Sequence, residues 1–88
     1  MNQTLTIVNE KGLHARASAK FVEAVESFDA EAKVTKDGMT VAGNSIMGLM
    51  MLAASKGCQI DVETTGAEAD DLAEALNTLV ADFFGEGK

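Results

Sequence analysis

The sequence predicts an α/β (α+β) two-layer, open-faced sandwich, with elements in the order β-α-β-β-α-β-α and an antiparallel sheet carrying all three helices on one face. Three observations predict it. Four short segments alternate apolar and polar residues, three others space their apolar residues as a helix does, and Asp37-Gly38 stands between two of the alternating runs. Strands that alternate cleanly have one wetted face, so helices can cover only the other. The 88 residues suffice for one modest core and are expected to form a single domain, 1–88.

In chain order, residues 4–8 set Leu5 and Ile7 against Thr4 and Thr6, which predicts a strand with one buried face. From about residue 15 to 28, Ala17, Phe21, Ala24, Val25 and Phe28 recur at helical spacing, while Lys20, Glu23 and Glu26 fall on other faces. Ala30, Ala32 and Val34 alternate with polar neighbours, and Asp37-Gly38 leads into Met39 and Val41. Glycine accepts the positive φ that a two-residue turn demands, so these two strands pair as a hairpin. Asn44 or Ser45 can cap a second helix over residues 46–54, which Gly57 is expected to close. Residues 58–65 turn Ile60 and Val62 inward and Asp61 and Glu63 outward. After Gly66, Leu72, Leu76, Leu79, Val80 and Phe83 trace a third helix, with Glu68, Asp70 and Asp71 at the positive end of its dipole and Gly85 as its stop.

Fourteen acidic against seven basic residues give a net charge of -7, a field that repels polyanions, so nucleic acid is not an expected partner. Three of the seven cations, Lys11, Arg16 and Lys20, nevertheless gather around His14, the sole histidine, and Arg16 is the sole arginine. One cysteine, Cys58, excludes an internal disulfide and a multi-cysteine metal site, and no metal is expected. The N-terminus lacks the apolar run of a signal peptide, and the longest apolar stretch, residues 46–54, is far short of the ~20 needed to cross a bilayer. The expectation is a cytoplasmic monomer without direct membrane insertion.

No phosphate-cradling GK[ST] loop, G-x-G-x-x-G turn or Ser-His-Asp spacing is present, so the chain has few parts of a self-contained catalyst, and no cofactor is expected. His14 falls where a strand gives way to a helix, beside the unpaired N–H groups of the helix end. A lone histidine at such a junction is in general more often a surface or capping residue than a nucleophile. What it can do alone is accept and pass on a phosphoryl group. The neutral ring nitrogen is the nucleophile, and the helix end disfavours the imidazolium, so a lowered pKa is expected. Once phosphorylated, the ring presents a dianion to the same amides, each worth about 0.3–1 kcal/mol, and Arg16 adds a charge-assisted contact.

The second helix is apolar nearly all round, although a helix lying on a sheet buries one stripe. Leu49, Leu52 and Ala53 can fill that stripe, leaving Met47 and Met50, with Ile46 or Met51, outside as an adaptable patch for a protein partner. Ser45 serves as the cap, and a phosphate there would add about -1.5 to -2 charge beside the patch.

Gly12-Leu13-His14-Ala15-Arg16, followed by Asn44-Ser45-Ile46-Met47-Gly48-Leu49-Met50 and Ala54-Ser55-Lys56-Gly57, resembles the histidine-containing phosphocarrier (HPr) family of the bacterial phosphoenolpyruvate-dependent sugar phosphotransferase system. The resemblance spans essentially the whole chain and implies a sheet order of 1-4-2-3. It also implies a carrier rather than an enzyme, phosphorylated on Nδ1 of His14 by phospho-enzyme I and passing the group to sugar-specific IIA components. Ser45 matches the serine that HPr kinase/phosphorylase modifies in many members. Ile46, Met47 and Met50 match the apolar docking residues, with Lys20 as a further partner contact.

Two departures bear on the site. Ala17 stands where the family usually has proline, which loosens the preset helix start but offers one more backbone donor to a phosphate. Glu23 and Glu26 stand where many members carry lysines near the site, which shifts docking toward the second helix and weakens its salt dependence. The alternative function is a regulatory-branch carrier in nitrogen or carbon signalling that acts mainly by protein binding. A third reading is a ferredoxin-like ligand-binding domain, which would order its strands 4-1-3-2.

Overall fold

The computed structural model describes all of residues 1–88. Strand β1 (Asn2–Thr6) leads to helix α1 (Ala15–Glu26), the hairpin β2 (Glu31–Lys36) and β3 (Met39–Ala42), helix α2 (Ile46–Met51), strand β4 (Gln59–Thr65) and helix α3 (Ala69–Ala81). A one-turn 3-10 segment, Phe83–Gly85, follows α3. All strand pairs are antiparallel in the order β1-β4-β2-β3, the order expected from the family resemblance and not that of a ferredoxin-like domain. No helix is long and apolar enough to cross a membrane.

The period-two pattern sets the register. In β4, Ile60, Val62 and Thr64 are buried while Gln59, Asp61 and Glu63 face water. Leu5 pairs with Ile60 and Val34 with Val62, so a slip of one residue would turn every one of these side chains outward. On the wet face Thr4 Oγ1 donates to Asp61 at 2.7 Å, and Thr35 and Thr40 share a hydroxyl hydrogen bond at 2.7 Å. Asp37 and Gly38 take φ of 51° and 82°, the two left-handed positions of the predicted hairpin turn. Between sheet and helices lies one core built on Phe21, Leu49, Leu72, Leu76 and Phe84.

Strand starts shift by one or two residues, and four element ends differ from the sequence reading for local reasons. The β1 ladder ends at Thr6 rather than at residue 8, yet Ile7 remains fully buried and donates its N–H to the Cys58 carbonyl at 2.8 Å. Helix α1 stops at Glu26, two residues short of Phe28, where the Ser27 hydroxyl bonds back to the Glu23 carbonyl at 2.7 Å and competes with the helical ladder.

Helix α2 is closed by Ala53, with φ 51°, and not by Gly57, which lies in the turn toward β4 and donates to the Ile7 carbonyl at 2.7 Å. Leu52 and Ala54 are both buried, so the chain must reverse at residue 53; Ala54 takes the place expected for Ala53, which is exposed. Helix α3 ends at Ala81, so Phe83 leaves the predicted apolar stripe and is 36% exposed, while Phe84 is fully buried. Phe83 and Phe84 have φ of 57° and 53°, conformations that cost roughly 1–3 kcal/mol each for a residue with a side chain. Phe84 is expected to carry the anchoring. Phe84→Ala should lose about 3–5 kcal/mol in thermal unfolding and Phe83→Ala about 1 kcal/mol or less.

The loop before α1 is held by a close approach. Gly12 has φ +64°, and a Cβ there would lie 2.3 Å from the Ala54 carbonyl oxygen and 2.8 Å from Ser55 Cα. Gly38 is equally left-handed but has open space around it. Gly38→Ala should therefore cost about 1 kcal/mol from its φ alone. Gly12→Ala should cost about 2–4 kcal/mol because the Ala54–Ser55 backbone must also move. Equal losses in urea denaturation would rule out the tight contact.

Candidate functional site

The turn at Gly12 delivers His14 to the N-cap of α1. Leu13 N–H donates to the Ala54 carbonyl at 2.9 Å, and the buried Ser18 hydroxyl donates to the Leu13 carbonyl at 3.1 Å. The His14 carbonyl takes the first helical hydrogen bond, from Ser18 N–H at 2.9 Å. Its side chain makes no capping bond, so the imidazole is free for other work. The amides of Ala15, Arg16 and Ala17 have no carbonyl within the helix to bond, as at any helix start. The Ala17 methyl is fully buried, which fixes the first turn against the core where proline would have fixed φ.

The ring is partly open to water, at 29% side-chain exposure, and its Nε2 lies 2.5 Å from Oε2 of Glu86, which is 13% exposed. The other oxygen of Glu86 accepts from Asn9 Nδ2 at 3.0 Å, and the same Nδ2 donates to the Gly12 carbonyl at 2.9 Å. That double donation fixes the orientation of the amide, since the flipped group would set an oxygen against two acceptors. Burial alone would raise the Glu86 carboxyl. Hydrogen bonds from Asn9 and His14, together with the charges of His14 and Lys11, outweigh burial and hold it below the ordinary carboxylate value of 4.5.

Beside the ring is a hollow of about 300 Å³ with no apolar lining, where Lys11, Arg16, Lys20 and Lys88 face Glu10 and Glu86. The predicted cationic island around His14 is thus brought together, with Lys88 added from the C-terminal end. Lys20 is committed elsewhere as well, since its Nζ donates to the Phe84 carbonyl at 2.6 Å and ties α1 to the C-terminal turn. Glu23 and Glu26, expected near the site, do not line the hollow; Glu23 lies over the groove between α1 and α3, and Glu26 toward the β2–β3 end.

At α2, Ser45 Oγ accepts from Gly48 N–H at 3.0 Å and is the N-cap, with Asn44 exposed beside it. Leu49 is fully buried, whereas Ile46, Met47, Met50 and Met51 are all exposed, Met47 at 75% and Met51 at 64%. This matches the expected split between stripe and patch except at Ala53, which is exposed and whose place Ala54 takes.

The sequence reading missed Asn9 and Glu86. Asn9 read only as the end of a strand, and no spacing pattern connects Glu86 with a histidine 72 positions away. The sequence reading set helix amides and cations beside the ring; the structure adds the Glu86 carboxylate at Nε2.

The geometry can be set beside known proteins. Residues 1–82 match the family described as the PTS HPr component phosphorylation site. The chain is 49% identical over 88 residues to phosphocarrier protein HPr of Neisseria meningitidis serogroup A, covering 100% of this chain and 99% of that one. It is 38% identical over 87 residues to phosphocarrier protein NPr of Escherichia coli K12, covering 98% and 97% of the two chains. The crystal structure of HPr-C-His from Thermoanaerobacter tengcongensis superposes with a TM-score of 0.93 at 36% identity, covering 98% of this chain and 97% of that one. The chain belongs to the HPr family of phosphocarrier proteins of the phosphotransferase system.

Proposed function

We propose that this protein accepts a phosphoryl group on His14 from phospho-enzyme I and passes it to IIA components of sugar phosphotransferase systems, acting as a carrier rather than a catalyst. The observation that carries the reading is the imidazole at the start of α1, uncommitted to capping, water-accessible, and beside a cation-lined hollow and three unbonded amides. Arg16 and the Ala17 amide are the proposed phosphate contacts. Ile46, Met47 and Met50 are the proposed docking surface, and their exposure supports that role; Lys20, in the hollow at His14, is a further proposed partner contact. Ser45 is the proposed regulatory site for an HPr kinase/phosphorylase. A dianion there would replace the bond that its hydroxyl now accepts from Gly48 and stand beside the methionines.

The regulatory-branch alternative is supported by the 38% identity to a relative named NPr, against 49% to one named HPr. Deleting the gene and measuring sugar uptake separates the two; loss of uptake supports the transport reading, and normal uptake with altered regulation supports the alternative.

Incubation with enzyme I and phosphoenolpyruvate should label the wild type with acid-labile phosphate and leave His14→Ala unlabelled. Persistent label on the alanine variant would remove His14 from the mechanism. Met47→Lys should leave unfolding free energy within about 0.5 kcal/mol of wild type, because the side chain is 75% exposed. In stopped assays it should slow transfer from enzyme I by about tenfold, the scale of one lost interface anchor.

A further inference from the structure

The C-terminal turn performs a task that the helix terminus does not. Phe84 is fully buried, Lys20 Nζ holds its carbonyl at 2.6 Å, and the Glu86 N–H donates to the Phe83 carbonyl at 2.9 Å. Two consecutive left-handed phenylalanines are kept in place by these contacts, and the result is that the Glu86 carboxylate reaches the His14 ring. Its two oxygens are divided between Asn9 Nδ2 and His14 Nε2.

An ionised carboxylate can only accept hydrogen bonds, so the proton in this contact belongs to Nε2. A neutral imidazole has one ring proton, and if Nε2 carries it, Nδ1 is left with the free lone pair. Nδ1 makes no hydrogen bond to the protein. We propose that Glu86 is a positioning residue for phosphoryl transfer, which selects Nδ1 as the acceptor by holding the Nε2 proton and shielding that nitrogen from the donor.

The proposal rests on His14 being the acceptor and specifies how the ring is prepared. In the step it describes, the Nδ1 lone pair forms the N–P bond while the bond from phosphorus to the donor protein breaks, its electron pair staying with the donor. The Nε2 proton is retained throughout. The phosphorylated ring is left cationic at Nε2, opposite the Glu86 carboxylate, and the pair separates no further proton to solvent. Onward transfer reverses the same bookkeeping. The other charges facing the ring are Glu10, Lys11, Arg16, Lys20 and Lys88, and Glu86 alone among them bonds to it.

The test uses the full chain as wild type, Glu86→Ala and Glu86→Gln, with ring nitrogens followed by 15N NMR and phosphoramidate as a small donor that needs no docking. Wild type should hold its neutral ring proton on Nε2 and be phosphorylated on Nδ1 only. Glu86→Ala should give a mixture of Nδ1 and Nε2 products. Glu86→Gln keeps an acceptor oxygen without the charge and should restore the Nδ1 preference. Products on Nδ1 alone in all three proteins would overturn the proposal. Failure of phosphoramidate and of phospho-enzyme I to phosphorylate wild-type His14 would instead overturn the carrier reading on which it stands.

Discussion

The contact on which the rest depends is the hydrogen bond from Leu13 N–H to the Ala54 carbonyl, made where Gly12 lies too close to the Ala54–Ser55 backbone for any side chain. It joins the loop that carries His14 to the exit of α2, the helix that displays the methionines. The left-handed Ala53 is one consequence, since the chain must turn there to present that carbonyl. The position of His14 is another. With Leu13 anchored on one side and Ser18 bonded to its carbonyl on the other, the helix must start at residue 15, and the imidazole stands at its end. The proposed phosphoryl acceptor and the proposed docking surface are thereby fixed relative to each other by backbone atoms, which single side-chain changes alter least.

The electrostatics follow from the same arrangement. The protein carries a net charge of -7, yet the hollow at His14 gathers four of its seven cations. Helix amides and these cations favour an anion at the ring, while Glu86 favours a cation on the ring's far side. The two influences act on different nitrogens. A neutral ring held by a carboxylate at one nitrogen and open at the other is a directed nucleophile, a condition that the helix terminus alone would not create.

Much of this was legible in the sequence. Period-two alternation located β1, β2 and β4 because each has a buried face and a wet one, and Asp37-Gly38 announced the turn into the more exposed β3 because few other pairs tolerate two positive φ values. The methionines could be placed outside because a six-residue helix on a sheet hides one stripe, which Leu49 fills. What could not be read was set by contacts between distant residues. Gly57 looked like a helix stop by its chemistry, but Ala54 had to reach Leu13, and that demand moved the stop to Ala53. Phe83 had the right phase for α3, but burying Phe84 required the chain to leave the helix two residues earlier. Glu86 and Asn9 were invisible for the same reason, since their roles exist only once the C-terminal turn folds back over α1.

A carboxylate beside a phosphate site is unfavourable for tight binding, and that is the argument for a transfer site. A helix N-terminus stabilises an anion by about 0.3–1 kcal/mol, up to ~2 in partly buried geometry, and a hydrogen bond to a charged group adds about 1.5–3 kcal/mol, so the helix end and Arg16 acting unopposed would hold a phosphoryl group by several kcal/mol. A carrier with so deep a well would accept the group and keep it, because every 1.4 kcal/mol of excess stability slows its release about tenfold. Glu86 offsets part of that stabilisation once the dianion is in place, while the proton it holds on Nε2 keeps the phosphorylated ring a good leaving group. The same residue that selects the attacking nitrogen thus limits how firmly the product is held, and both effects act through a single contact between the first helix and the end of the chain.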